Sequence, residues 1–362
     1  MSRAYDVCER LLPGVSRTFA LLIPELPGGL REPVCCAYLL CRVADTIEDA
    51  PGVPIESRLA CFGRLETAVR DDSRAPAALA SLREATSAWP LDADHARLMD
   101  EVATVLEAYR AFPAGDRVVI SECVLEMVDG MRQTVRAQAG EARHGFRDVA
   151  DLDRYCYYVA GIVGRMLTRL YWRHVHGEGS LPPELLVQQG IEFGLGLQLT
   201  NVLKDYRADL RRGVCFLPIS LASGLNVRDQ IGRDQAPPHP LRVWLAGHAA
   251  GWLDAAFAYV LAWPATAVGI RVFCLGALFM AVRTLGVVLT AGPLDATESP
   301  KITREDVAEI MRTARAEAAD DERLRLWYRR ERARLDGLLA GAPEAVPGGR
   351  QARSEGSVTG AQ

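Results

Sequence analysis

Apolar residues recur at helical spacing along almost the whole of this 362-residue chain, and the alternating pattern of a half-buried strand is almost absent. The helical segments cover residues 34–43, 59–69, 98–109, 118–135, 153–171, 185–210, 241–261, 267–289 and 304–339. Hydrophobic residues make up 49% of the chain, so these segments can bury a large shared core. The sequence therefore predicts an all-α fold.

Short clusters of proline, glycine and polar residues separate the helical segments, at residues 51–54, 111–116, 177–183, 223–240 and 292–300. None is long enough to be a domain linker. We therefore expect residues 1–339 to form a single large helical domain, in which residues 223–240 are an exposed connection. Residues 340–362 are rich in Gly, Ala, Ser and Pro, which is typical of a disordered tail.

Two acidic motifs lie far apart in the sequence: DTIED at residues 45–49 and NVLKDYRAD at residues 201–209. At about 100° per residue, each motif forms one polar stripe on its helix. The first stripe comprises Tyr38, Arg42, Asp45 and Asp49, and the second comprises Gln198, Asn201, Asp205 and Asp209. Because buried carboxylates that face each other repel, they require a cation, and oxygen ligands favour Mg²⁺.

A solvated helix surface is the simpler interpretation of carboxylates four residues apart, and it fits either stripe alone. The neighbouring residues argue against it. Residues 34–43 and 193–203 are almost uniformly apolar outside the stripes, whereas a solvent-facing stripe needs no such surroundings. The two stripes together therefore predict one buried metal site shared by two helices.

Charge and cysteine content exclude some classes of function. The net charge is −4 and the arginines are spread along the chain, so nucleic acid is not expected as a partner. The nine cysteines lie in apolar stretches without CxxC spacing, which indicates reduced, buried thiols in a cytoplasmic protein. Residues 1–10 are polar, and no signal peptide is apparent.

The most apolar stretch, residues 260–289, is interrupted by Pro264, Arg271 and Arg283. Only residues 272–282 are free of interruption, and this is too short to span a bilayer as a helix. We expect a buried helix here, either lining an apolar cavity or forming ordinary core.

Two further segments carry residues that suit a diphosphate site. SRTF at residues 16–19 places a hydroxyl and a guanidinium beside an aromatic ring, which suits phosphate oxygens next to an apolar chain. A helix N-cap with a solvated arginine is the alternative. YCYYVAGIVG at residues 155–164 combines aromatic residues with small residues three apart, which permits close helix packing or leaves room for a ligand.

In this order, the motifs resemble those of the squalene and phytoene synthase family, the head-to-head prenyl transferases. The resemblance covers roughly residues 15–311. It rests on SRTF, YLLCRVADTIED at residues 38–49, YCYYVAGIVG, and LQLTNVLKDYRADLRRG at residues 197–213. A single acidic motif would be weak, but several ordered motifs with both acidic elements are specific. The resemblance implies the isoprenoid synthase type of helical domain, with a central active-site cavity.

This resemblance implies that two farnesyl diphosphates are condensed to presqualene diphosphate in a Mg²⁺-dependent step and then reduced to squalene by NADPH. The implied catalytic residues are Tyr38, Arg42 and Tyr158, with Tyr158 as a proton relay. The implied diphosphate-binding residues are Ser16, Arg17, Phe19, Arg42, Gln198, Asn201 and Lys204. The implied metal ligands are Asp45, Glu48, Asp49, Asn201, Asp205 and Asp209. The aromatic rings expected to shield a carbocation are Phe19, Phe193, Phe273 and Phe279.

Within the family, the wording of the motifs is closer to the squalene-forming enzymes, for example at residues 204–206, where phytoene-type enzymes usually end in valine. Residues 270–274 and 300–304 are similar to a late segment associated with the nicotinamide-dependent step. This similarity implies cofactor contacts from Lys301 and Arg304. An ordinary helix N-terminus at Thr303 is the alternative.

The chain also departs from the family pattern. Val214 stands where an arginine is usual, and Ala208 stands where an acidic residue is common. The resemblance leaves Arg211 or Arg212 to supply the missing positive charge.

Two other functions stay open. A phytoene or dehydrosqualene synthase has the same fold and first chemistry but uses no reductant. A non-catalytic helical protein that binds isoprenoid or scaffolds partners could lose carboxylates that this chain keeps.

No obligatory protein partner is predicted. An insoluble product favours peripheral contact with the inner face of the membrane, although no basic amphipathic helix marks a docking site. Chain-length preference depends on the cavity floor, which the sequence does not identify.

Overall fold

The computed structural model describes residues 3–137, 146–211, 214–222, 239–291 and 299–340. Within these ranges the chain is almost entirely helical, and β structure is limited to one bridge between Phe146 and Pro218. The all-α prediction is confirmed. Predictions that fall on residues 223–238, on most of 292–300 and on the tail from residue 341 lie outside the described residues.

The first half of the chain forms α1 (Arg3–Val15), α2 (Arg17–Leu22), α3 (Gly28–Asp49), α4 (Ile55–Arg70), α5 (Ala75–Thr86), α6 (Ala93–Asp100), α7 (Val102–Arg110) and α8 (Ala114–Ala137). The second half forms α9 (Val149–Cys156), α10 (Ile162–His176), α11 (Glu184–Arg211), α12 (His239–Ala262), α13 (Val268–Thr290), α14 (Arg304–Glu317) and α15 (Asp321–Ala340). A π-helical turn, Tyr157–Gly161, joins α9 to α10.

Three predicted helical segments are divided in the structure. Residues 98–109 separate into α6 and α7 at Glu101, residues 153–171 contain the π-helical turn, and residues 304–339 separate into α14 and α15. The apolar pattern continues across these interruptions because the residues on both sides face the same core. Helices α1, α2 and α5 fall outside the predicted segments. A proline in the first turn of α5 needs no N–H partner there, so it begins the helix instead of breaking it.

One continuous hydrophobic core extends from α1 to α15. Within it, α11 packs along α10 and α12, α3 packs along α8, and α13 packs along α14 and α15. Several of these helices also surround a central cavity, so their apolar faces serve both the core and the cavity wall.

Small residues bring α11 into backbone contact with α10 and with the π-helical turn before it. A Cβ atom on Gly164 would lie 1.9 Å from the carbonyl oxygen of Gly190, and one on Gly194 would lie 2.2 Å from the carbonyl oxygen of Ala160. Both distances are far below van der Waals contact, so only glycine fits. The sequence left open whether the small residues of the 155–164 motif serve packing or a ligand. Ala160 and Gly164 serve packing here, and they also line the cavity, as do their partners Gly190 and Gly194.

Helix α13 is the most apolar helix of the fold. Among the described residues, it is the one helix long and apolar enough to cross a membrane, yet 83% of its most apolar window is buried inside the protein. Arg271, near its start, is 1% exposed and donates hydrogen bonds to the carbonyls of Trp263 and Ala318, each at 3.0 Å. It also pairs with Asp321 at 2.7 Å. The helix is therefore buried, as expected, and of the two expected roles it has both: it belongs to the core, and Phe273, Cys274 and Ala277 line the cavity.

All nine cysteines are buried and none forms a disulfide. The Sγ atoms of Cys8 and Cys36 lie 3.8 Å apart, which is a contact between thiols and not a covalent bond. The prediction of buried, unpaired cysteines is confirmed.

Candidate active site

A cavity of about 1220 Å³, counting its open mouth, lies between α2, α3, α8, α10, α11, α12 and α13. Its charged and amide groups come from the two polar stripes. Tyr38, Arg42 and Asp45 of α3 lie on one side, and Gln198 and Asn201 of α11 lie on the other. The two stripes predicted from the sequence therefore meet at one cavity through these residues, whereas their other members, Asp49, Asp205 and Asp209, do not line it.

The rest of the cavity is apolar and extends well away from these polar groups. Asp45 and Val34 both line it and lie eleven residues apart on α3, which is about 16 Å along a helix. Asn201 and Gly190 lie equally far apart on α11. A long apolar chain with a charged head therefore matches the cavity in both shape and polarity.

Three polar residues of α3 form one connected group at the polar end. Arg42 makes an ion pair with Asp45 and donates a hydrogen bond to the Tyr38 hydroxyl at 3.3 Å. Arg42 also donates to the carbonyl of Val15 at 3.1 Å, which ties α3 to the end of α1. Burial raises the pKa of Tyr38 against the lowering effect of Arg42. Tyr38 therefore keeps its proton at neutral pH and can donate a hydrogen bond.

Glu48 and Asp49 complete the first acidic motif but do not line the cavity. Glu48 is buried, whereas Asp49 is exposed. Both lie close enough to Tyr155 to affect it: burial, followed by the negative charges of Glu48, Asp49 and Asp45, raises the pKa of this tyrosine. The negative charges of the first motif thus act on one buried phenol ring.

The second motif contributes its first residues to the cavity and its later ones to the surrounding structure. Lys204 donates a hydrogen bond to Asn201 Oδ1 at 3.1 Å and pairs with Asp205 at 3.2 Å. Asp209 is 6% exposed, and its backbone carbonyl accepts a hydrogen bond from Val214 at 3.0 Å. Neither Asp205 nor Asp209 lines the cavity. The side chains of Arg211 and Arg212 lie outside the described residues.

In the described ranges, no three His, Cys, Asp or Glu side chains lie close enough together to hold a metal ion by themselves. The oxygen donors of the two stripes that line the cavity are the Asp45 carboxylate and the amides of Gln198 and Asn201. This donor set suits Mg²⁺, which keeps several other ligands such as water or substrate phosphate oxygens. The residues present therefore fit a magnesium site that needs a phosphate-bearing ligand to be complete.

The residues of the SRTF segment have different roles in the structure. Ser16 Oγ accepts a hydrogen bond from the Phe19 backbone N–H at 3.0 Å and caps α2. Phe19 lines the cavity, with its ring 5.0 Å from that of Tyr38 and 6.0 Å from that of Phe273. Arg17 is exposed and does not line the cavity. The N-cap alternative therefore holds for Ser16, while Phe19 reaches the site.

Tyr158 does not line the cavity. It is half-buried on the π-helical turn, and its ring packs against Gly130 of α8, where a Cβ atom would lie 2.2 Å from Tyr158 Cγ. The preceding Tyr157 donates to Glu126 at 2.8 Å and accepts from Arg165 at 3.0 Å. The structure thus brings the neighbours Val159 and Ala160 to the cavity but not Tyr158 itself.

Phe279 was expected to shield a carbocation, and this expectation is wrong. Its ring stacks on Trp327 at 3.5 Å and does not line the cavity. Phe273 and Phe279 lie six residues apart on α13, so their directions differ by about 120° around the helix. Phe273 faces the cavity, so Phe279 faces α15. Phe193 lines the cavity as expected.

Lys301 and Arg304 are exposed and do not line the cavity. Thr303 caps α14 through a capping box, in which Asp306 N–H donates to Thr303 Oγ1 at 3.0 Å and Thr303 N–H donates to Asp306 at 2.9 Å. The helix N-terminus expected as an alternative for this segment is therefore present.

Several cavity residues were not foreseen from the sequence. Tyr171 and Tyr259 line the apolar part and are almost fully buried. Tyr171 continues a run with Val163 and Leu167 at four-residue spacing on α10, all of which line the cavity. That spacing was the available signal, but it equally fits ordinary core.

A family model described as squalene/phytoene synthase matches residues 12–306. The chain belongs to the squalene/phytoene synthase family. The squalene synthase of Schizosaccharomyces pombe is 33% identical over 216 residues, which are 58% of this chain and 43% of that protein. The squalene synthase LSS of Botryococcus braunii is 31% identical over 208 residues, which are 56% of this chain and 39% of that protein. The chain thus spans less than half the length of these relatives.

Solved structures share the fold of this squalene/phytoene synthase family member. A ligand complex of TcSQS aligns with a TM-score of 0.71 and 22% identity over 93% of this chain and 97% of that one. A dehydrosqualene synthase in complex with a ligand aligns with a TM-score of 0.57 and 20% identity, over 87% of this chain and 96% of that one. The isoprenoid synthase type of helical fold is thereby confirmed.

Proposed function

We propose that this protein is a squalene synthase. In the proposed reaction, two farnesyl diphosphates condense head-to-head to presqualene diphosphate, and NADPH then reduces this product to squalene. The observation that carries the proposal is the meeting of both acidic motifs, through Asp45 and Asn201, at the polar end of one long apolar cavity. The squalene synthases among the curated relatives support the same reaction.

The diphosphate binds at the polar end in this proposal. Arg42 lines the cavity, and Lys204 is hydrogen-bonded to Asn201, which lines it. Each cation now pairs with a carboxylate of its own helix. Arg17 and Ser16 would reach the diphosphate from α2, and Gln198 and Asn201 would donate amide hydrogen bonds. Tyr38, which keeps its proton, adds a hydroxyl donor.

Mg²⁺ would be held by oxygen ligands from both motifs: Asp45, Glu48, Asp49, Asn201, Asp205 and Asp209. Bound there, it would neutralise the charge of the leaving diphosphate. Asp45 and Asn201 already face the cavity, while Asp205 is paired with Lys204. Substrate phosphate would compete with Asp205 for Lys204, so binding of the diphosphate would free this carboxylate for the metal.

The apolar walls protect the reactive carbon skeleton. Phe19, Phe193 and Phe273 line the cavity, and the negative face of an aromatic ring stabilises a nearby cation. Because the lining beyond the polar end is apolar, water is kept away from the allylic cation. Tyr158 remains our candidate for the proton relay. Its ring packs on Gly130, so this role requires the side chain to turn towards the cavity when substrate is bound.

NADPH is the second substrate of the proposed reaction, and Lys301 and Arg304 are the proposed contacts for its phosphate groups. Both are exposed at the start of α14 and available to an anion. We also propose a cytoplasmic location with peripheral contact at the inner face of a membrane, because the product is insoluble in water.

Incubation with farnesyl diphosphate and Mg²⁺, with and without NADPH, tests the function. Squalene formed with NADPH, and presqualene diphosphate accumulating without it, is the expected result. Dehydrosqualene formed regardless of NADPH would instead support the second candidate, a dehydrosqualene synthase, an enzyme type whose fold this chain shares. Absence of any condensed product, with intact substrate recovered, would refute both.

A further inference from the structure

A tyrosine ends the row of cavity-lining residues on α10. Along α10, Val163, Leu167 and Tyr171 follow each other at one-turn spacing and line the cavity. The Tyr171 side chain is the last of them and is fully buried. A chain that enters from the polar end and follows α10 therefore meets this ring last.

Behind Tyr171 lies a second aromatic layer that does not line the cavity. The ring of Tyr171 contacts that of Trp263 edge-to-face, with the centroids 5.7 Å apart, and Trp263 is 1% exposed. The Trp263 ring lies 6.3 Å from that of Trp172. On the cavity side, Tyr171 contacts Phe273, with the centroids 6.2 Å apart. Tyr171 thus separates the cavity from the packed rings of Trp263 and Trp172.

The hydroxyl of Tyr171 is not required to hold the fold together. In the described part of the chain it has no hydrogen-bond partner, although it is fully buried. By contrast, the hydroxyl of Tyr259 lies 3.0 Å from Thr168 Oγ1. A buried hydroxyl without a partner destabilises the folded state, so the useful part of Tyr171 is its ring. A phenylalanine at this position would keep that ring.

We propose that the Tyr171 ring is the stop that sets the length of the prenyl tail, limiting the substrate to three isoprene units. This inference rests on the proposed function, since it assumes that the cavity holds a prenyl diphosphate. A phenol ring is larger than one isoprene unit. Replacing it by alanine therefore opens room for one more unit, which would lie against Trp263.

Equilibrium binding of two non-reactive analogues, farnesyl and geranylgeranyl thiodiphosphate, measures the stop directly. The ratio of the two dissociation constants comes from one preparation and does not depend on how much of it is folded. For Tyr171→Ala, we expect binding of the geranylgeranyl analogue, relative to that of the farnesyl analogue, to strengthen by about tenfold or more. The ratio of kcat/KM for the two substrates should change in the same direction. Tyr171→Phe should leave the ratio unchanged.

Phe62→Ala is the matched control, because Phe62 is fully buried in α4 and does not line the cavity. It loses a buried ring as Tyr171→Ala does, and its ratio should equal that of the wild type. Cys274→Phe provides a second test that needs no large-to-small change. Cys274 lines the cavity near Tyr171, so the added ring should shift preference towards geranyl thiodiphosphate by about tenfold.

An unchanged ratio of dissociation constants in both Tyr171→Ala and Cys274→Phe would overturn the proposal that Tyr171 is the stop. So would a shift of equal size in Phe62→Ala. Failure of the proposed function gives a different result: the wild type would bind the analogues, with the ratio shift in Tyr171→Ala intact, yet form no condensed product. A wild type that binds neither analogue would overturn both proposals.

Discussion

Asp45 is the residue at which the acidic motif and the cavity coincide. Of the three carboxylates in its motif, it alone lines the cavity, and it is also the partner of Arg42. Its side chain is 24% exposed, so it faces a space that solvent or a ligand can enter. A carboxylate in that position can exchange its guanidinium partner for a metal ion when a diphosphate takes over Arg42.

Asp45→Asn tests this role. The amide keeps the size and one oxygen of the carboxylate but loses its charge, so metal-assisted departure of the diphosphate should slow. We expect kcat/KM for pyrophosphate release to fall by about 100-fold or more, with little change in the unfolding midpoint. Asp100→Asn is the control, because Asp100 also pairs with an arginine, Arg83, but on the surface. Near-normal release by Asp45→Asn would remove Asp45 from the metal site.

The sequence predicted the residues of the polar end better than those of the apolar end. Tyr38, Arg42 and Asp45 could be grouped because polar residues at helical spacing in an apolar segment are unusual. Tyr171 could not be recognised, because an apolar or aromatic residue on a helical stripe looks the same whether it faces a core or a cavity. Tyr158 was expected at the cavity from its motif. The direction of its side chain depends on the π-helical turn, and no residue pattern predicted that turn.

At the scale of helices, the cavity depends on how closely α10 and α11 approach. Both helices line it, through Val163 and Leu167 on one and Phe193 and Leu197 on the other. Their backbones meet at Gly164 and Gly190, so the width of the cavity on this side is fixed by the absence of side chains there. The sequence showed the small residues but could not show which helices they join.

Gly164→Ala should force these two helices apart. Its Cβ would lie 1.9 Å from a backbone oxygen, which cannot rotate away as a side chain could. We expect the free energy of unfolding, measured by urea titration, to fall by about 1–3 kcal/mol. Gly63→Ala is the matched control, since its Cβ would meet nothing within 4 Å in the middle of α4. That change should stabilise the protein by about 0.5–1 kcal/mol, because alanine favours a helix. Equal effects of the two changes would contradict the close approach.

At the scale of the whole molecule, the two motifs come from helices far apart in the sequence, so a ligand that bridges them joins distant parts of the chain. The present structure holds each motif in its own ion pair, Arg42 with Asp45 and Lys204 with Asp205. Neither pair crosses between α3 and α11. Metal and diphosphate bound together would supply a cross-link between these helices.

This cross-link predicts that the stability of the protein depends on the two ligands being present together. Anything that binds only the folded protein stabilises it by mass action, by about 2.7 kcal/mol at a hundredfold excess over the dissociation constant. Mg²⁺ alone finds an incomplete donor set, and farnesyl thiodiphosphate alone brings its negative charge against Asp45. Together they should raise the unfolding temperature, measured by calorimetry, by clearly more than the sum of their separate effects.

By linkage, each ligand must then tighten the binding of the other by the same factor. Asp45→Asn should reduce this coupling, while Asp100→Asn should preserve it. Additive effects in the wild type would mean that the cavity binds the prenyl chain without a shared metal, as a non-catalytic isoprenoid-binding protein would.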